Sequence, residues 1–184
     1  MGRGITALLL VVSSLLSWSA SAGDDRTQGL QAAIAQLRQA TLKGDYQTLV
    51  AMTHPKAIAA QGGKQQALVN AQTAFQELQA SGMTQTRFTV DKPGKVYAAG
   101  DDWVTFLTTH SQYQSPSQHI VSDGYLIAVR AQKGTSWHFI DGAGVEFVQQ
   151  IYQYFPKLPA GISIPKKHSK IRLITPWTPK QAAR

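Results

Sequence analysis

The chain contains no cysteine. That removes disulfides, thiolate metal sites, a cysteine nucleophile and a lipid-modified N-terminal cysteine from consideration. Acid is scarce too: ten Asp and Glu stand against eighteen Lys and Arg, and none lies beyond Glu146. After the first residues, no run approaches the ~20 apolar residues that a spanning helix needs. The five histidines form neither H-x-x-x-H nor H-E-x-x-H, which argues against a metal centre. "GAGVEF" lacks the third glycine of a dinucleotide loop, and "GGKQQ" lacks the upstream glycine and following Ser or Thr of a phosphate loop. No serine stands in G-x-S-x-G, which disfavours an elbow-type hydrolase. No cofactor and no metal are therefore expected.

What is present begins with "MGRGITALLLVVSSLLSWSASAGDD". Arg3 supplies a positive start, Ile5 to Leu16 an apolar stretch, and Ala20-Ser21-Ala22 a small-residue cleavage signal. Residues 1–22 thus read as a signal peptide cleaved after Ala22. The expected product is a periplasmic or secreted protein without a lipid anchor. Residues 23–165 suit a single domain held by its own core.

The net charge of +8 is unevenly spread. Residues 23–156 carry ten basic and ten acidic side chains, whereas residues 157–184 carry seven basic and no acidic ones. A neutral body argues against a nucleic-acid face. Residues 166–184 read as a basic tail of low order, although "IRLITPW" is apolar enough to dock.

Periodicity predicts an α+β domain. Thr27 to Lys43 repeats Leu30, Ile34 and Leu37 at helical spacing. Gly44 ends that helix, Asp45 caps a short second one, and Pro55 stops it. Lys64 to Gln79 forms a third helix with Leu68, Ala71, Phe75 and Leu78 on one face. The period then shortens to two. "TRFTVDK", "KVYAA", "WVTFLTTHSQY", "HIVSDGYLIAVRA" and "SWHFI" read as strands joined by short turns. They imply a strongly curved antiparallel sheet with the helices on one face, and a bulge at Asp123-Gly124. "VEFVQQIYQYF" suits a short helix or an edge strand, and the proline-rich "PKLPAGISIPKK" an extended segment.

"LKGDYQTLVAMTHP", "GGKQQALVNAQTAF" and "SDGYLIAVRAQKGTSWHFIDG" resemble, in order and spacing, the helix steps and last strands of the nuclear-transport-factor-2-like superfamily. That superfamily includes SnoaL-like proteins. "FIDGAG" with a following short helix and "FPKLPAGISIP" resembles a subset of its exported members. The resemblance spans residues 27–165. It implies a cone-like sheet wrapped on helices around a pocket. It also implies a choice between isomerase, cyclase or dehydratase chemistry and non-catalytic binding.

Strand alternation selects the candidate pocket residues. Trp137, Phe139 and Asp141 share one face of the last strand, leaving His138 on the other. Arg130 should prefer water, which turns the Tyr125 face inward. Trp103, Tyr125, Trp137 and Phe139 are thus expected to line a small apolar pocket. Asp141 at its rim has two readings. An inward carboxylate in apolar surroundings can move protons, with His110 as the one nearby partner. Alternatively, Asp141 accepts backbone N–H groups in the turn before Gly142, which is the preferred reading.

Lys166, Lys167, Lys170, Arg172 and Trp177 in the tail suit an anionic membrane surface or an acidic protein partner. A solvated, unemployed tail is the alternative. The expectation is an exported non-catalytic domain that binds a small apolar ligand and touches something anionic. The alternative is a small-molecule isomerase or dehydratase using Asp141. Oligomeric state is left open, and a dimer is compatible.

Overall fold

The computed structural model describes residues 25–173. The expected signal peptide and Trp177 lie outside the described residues. Helix α1 (Leu30–Lys43) is followed by α2 (Tyr46–Met52), α3 (Pro55–Ala60) and α4 (Lys64–Ala80). Then come β1 (Thr84–Val90), β2 (Val96–Ala99), β3 (Asp102–Gln114), β4 (Gln118–Ala131) and β5 (His138–Asp141). A 3-10 turn at Gly142–Gly144 leads to α5 (Val148–Tyr154) and β6 (His168–Leu173). Among the described residues no helix is long and apolar enough to cross a membrane.

The helix boundaries follow local chemistry. Gly44 closes α1 in the left-handed region at φ 66°, and Phe75 of α4 packs where its Cβ would stand, so only glycine fits. Asp45 caps α2 by accepting from the Thr48 backbone N–H. Pro55 does not simply stop the chain. It occupies the first turn of α3, where a missing N–H costs nothing. The predicted face of α4 is its half-buried one.

All strand pairs are antiparallel. The long strands β3 and β4 form the centre, and their register runs unbroken from Asp102↔Ala131 to Gln114↔His119. The bulge expected at Asp123-Gly124 is therefore absent; the one register shift recorded lies in β1, between Gln85 and Arg87. Each long strand has two short neighbours end to end on its outer edge. On β3 these are β2 and β1. On β4 they are β5, then β6. Residues 168–173, expected as an unordered tail, thus form an edge strand.

The sheet carries two cores rather than one. On one face, Leu30, Ile34 and Leu37 of α1 pack with Leu107, Leu126, Ala128, Trp137 and Phe139. On the other, Ile151, Phe155 and Leu158 cover Val104, Phe106, Ile127, Val129 and Ile140. The expectation of helices on a single face is corrected by α5, whose apolar side has no other surface to bury. Fully buried side chains of this size each contribute about 1.5–3 kcal/mol.

Arg130 also departs from expectation. It is only 5% exposed and stands on the α1 face. Its guanidinium donates to Gly134 O and Asp25 O and stacks over Trp137 at 5.5 Å. Two carbonyls and an aromatic face make burial tolerable for a planar, weakly hydrated cation. Trp137 completes the arrangement by donating its indole N–H to Gln28 O at 2.8 Å.

Candidate functional site

On the α1 face the structure encloses a cavity of about 540 Å³. It opens where the helices end and the sheet continues beyond them. Leu37, Leu49, Phe88, Leu126 and Phe139 give it an apolar floor. Alternation then places Thr109 and Ser111 after Leu107 on the same face of β3, opposite Gly124 and Ser122 of β4. Gly124 contributes space: a Cβ there would stand 3.1 Å from the Thr109 hydroxyl. The outer wall is therefore short and hydroxylated, and Thr41, Thr53, Tyr113 and Ser169 extend that character.

The remaining wall lies at the joint between β5 and β6. Asp141 ends β5 and accepts from Ala143 N at 2.8 Å, capping the 3-10 turn. Gly142 follows because Tyr125 leaves no room: a Cβ would fall 2.6 Å from the Tyr125 carbonyl oxygen. Lys167 bridges the joint by donating to Gly142 O at 3.2 Å and Val145 O at 2.7 Å. Asp141 and Lys167 both line the cavity.

The sequence-selected residues distribute unevenly. Phe139 and Asp141 line the cavity. Trp137 faces the same side but is buried deeper, under α1. Trp103 is half-buried at the far end of that core, with Arg26 over its ring at 5.4 Å. Tyr125 is 4% exposed and belongs to the opposite core, next to Phe106. Burial, and secondarily the Asp141 charge, raise its phenol pKa above the ordinary value. Inferring an inward Tyr125 face from a water-loving Arg130 fails because both faces of this stretch are buried.

His110 and Asp141 do not converge. His110 pairs across with Asp123, whereas Asp141 pairs with Leu126, and the odd spacing between Asp123 and Leu126 sets the two on opposite faces. His110 is instead fixed between carboxylates, with Nδ1 2.7 Å from Asp123 Oδ1 and Nε2 3.2 Å from Asp91 Oδ2. The Asp123 hydrogen bond, then that of Asp91, raises its pKa.

Sequence reasoning missed His54, which is 9% exposed. Its Nδ1 accepts from Lys56 N, capping α3, and its backbone N–H donates to Phe139 O. Burial lowers its pKa. The tail cations Lys170 and Arg172 stand on β6, and Lys166 is exposed just before it. Among the described residues, no group of three or more His, Asp or Glu side chains converges as a metal site.

The fold class visible here is α+β, with an open antiparallel six-stranded sheet. No protein-family model, curated protein or solved structure matches the chain.

Proposed function

We propose that this protein is an exported binding domain of the nuclear-transport-factor-2-like, cone-shaped type. In this reading it holds a small, largely apolar molecule in the cavity between α1–α2 and the sheet. Its basic C-terminal segment contacts an anionic surface or partner. One observation carries the ligand reading: five apolar side chains floor a cavity whose outer wall is hydroxyls. A volume of about 540 Å³ falls within the roughly 300–1,000 Å³ of small-molecule sites. The order of four helices followed by a strand meander supports the family resemblance, and the N-terminal sequence supports export.

The catalytic alternative has Asp141 but no converging second acid or base. Its Oδ1 already serves the backbone turn, and His110 lies across the sheet, held by two carboxylates. Acid–base chemistry of the isomerase type needs a second group to stabilise developing charge.

Nile red titration tests the binding reading. The expected outcome is saturable binding at one site. Ser111→Trp, which fills the outer wall, should weaken it about tenfold, while Ser111→Ala binds as the parent does. Absence of saturation, or equal binding by Ser111→Trp with an unchanged melting temperature, contradicts the proposal.

A further inference from the structure

The edge strand β6 is unusual among the strands of this sheet. Residues 168–172 are all exposed, and among the described residues β4 is its only strand partner. Its outer edge therefore presents unpaired N–H and C=O groups, a template for another strand. Its side chains alternate in chemistry as well as direction. Register with β4 puts His168, Lys170 and Arg172 on one face, beside His119, and Ser169 and Ile171 on the other, beside Ser122 and Ile120. Ile171 is 61% exposed. On the cationic face, the carboxylate of Asp123 is already held by His110.

We propose that β6 is a docking edge for an extended acidic peptide segment of a partner protein. The segment adds as a further strand and alternates acidic and apolar side chains. This rests on the reading that the C-terminal segment contacts something anionic, and it narrows that contact to one kind of partner. Main-chain hydrogen bonds supply affinity, and the alternating faces supply selectivity. Acidic residues of the added strand meet Lys170 and Arg172, and its apolar residues meet Ile171.

Two competing occupants fit less well. A membrane surface contacts one face of a strand, yet the cations and Ile171 stand on opposite faces of β6. Only along the edge are both within reach of one ligand. A second copy of β6 would set cation against cation on the shared face, which is unfavourable for directly opposed side chains. The chain's own residues 174–184 contain no acid to serve as partner.

The test uses the mature chain and short synthetic peptides alternating Glu and Val, with a Lys–Val peptide as control. A third peptide repeats Glu–Val with alternate amides N-methylated. Vesicles of phosphatidylglycerol form the fourth arm. The Glu–Val peptide should bind, the Lys–Val peptide should not, and N-methylation should cost at least about tenfold. Lys170→Glu/Arg172→Glu should lose Glu–Val binding and gain Lys–Val binding while keeping the parent's melting temperature. Equal binding of the N-methylated peptide overturns the added strand. Vesicle binding without peptide binding also overturns it while sparing the broader anionic reading. No binding in any arm defeats both.

Discussion

The inner and outer halves of the same two strands differ sharply. Along β3, Val104 to Leu107 are buried, while every residue from His110 onward is half-buried or exposed. β4 mirrors this, with Tyr125 to Arg130 buried and residues 118–124 open to varying degrees. The inner half is sealed on both faces, by α1 on one side and by α5 and Leu158 on the other. The outer half is not sealed. It bears the cavity wall, the Asp91–His110–Asp123 cluster and the β6 edge. Continuous backbone pairing lets one end of a strand supply rigidity while the other displays chemistry, because the ladder transmits position without requiring burial.

The sharpest way to break that division is to truncate one residue in each half. Ile127→Ala should cost about 2–5 kcal/mol in denaturant unfolding, since Ile127 is fully buried and the site has little freedom to collapse. Val121→Ala, 37% exposed on the outer half, should stay within about 0.5 kcal/mol of the parent. Similar losses at both sites would erase the distinction.

Gly142→Ala probes the boundary between the halves. The new Cβ collides with Tyr125, and overpacking of this kind costs about 1–3 kcal/mol, read as a lower denaturation midpoint. Asp141→Ala removes only the cap on Ala143 N and should cost about 1 kcal/mol. A gain in stability there would mark Asp141 as a strained functional acid instead.

The smallest expected effects are in pH, and the two halves should respond with opposite sign. His54, on the inner side, has its pKa lowered from 6.5 by burial. Protonation then favours unfolding, and stability present above pH 6.5 declines as pH falls below it. His110, on the outer side, has its pKa raised from 6.5 by Asp123 and Asp91. Its contribution is complete below pH 6.5 and is lost as pH rises through the raised value. His54→Asn, which keeps a capping acceptor, should remove the acid-side loss, and His110→Gln the alkaline-side loss. Melting temperatures from about pH 5 to about pH 8, the range in which histidine titrates, read both.

The same division explains what the sequence disclosed. Local signals were legible: the Leu30–Ile34–Leu37 stripe, the Gly44 stop, the Asp45 cap and the strand order all have short-range causes. Which face of the sheet mattered was not legible, because the rule that one face is wet fails where α5 supplies a second cover. Arg130 looked like a solvent marker, yet Gly134 O and Trp137 from the next turn and Asp25 O from the far end of the chain receive its guanidinium. Phe139 and Asp141 both border the cavity. Thr109 and Ser111 were missed, although the loss of apolar character along "LTTHSQY" was a readable sign that the strand was leaving the core; Lys167 was assigned to the basic tail, whereas it stands at the cavity wall. β6 was missed because Lys, Arg and His at alternate positions resemble a solvated tail when their partner strand is unknown. Deleting residues 166–184 would thus remove a strand as well as charge.

Native mass spectrometry of the protein purified from its own host tests the binding role most directly. The cavity should retain a small, largely apolar molecule in the parent protein, and Ser111→Trp should release it while remaining folded. A parent protein that carries no ligand and takes up none from a small-molecule extract of that host would contradict the assignment of the outer half to binding.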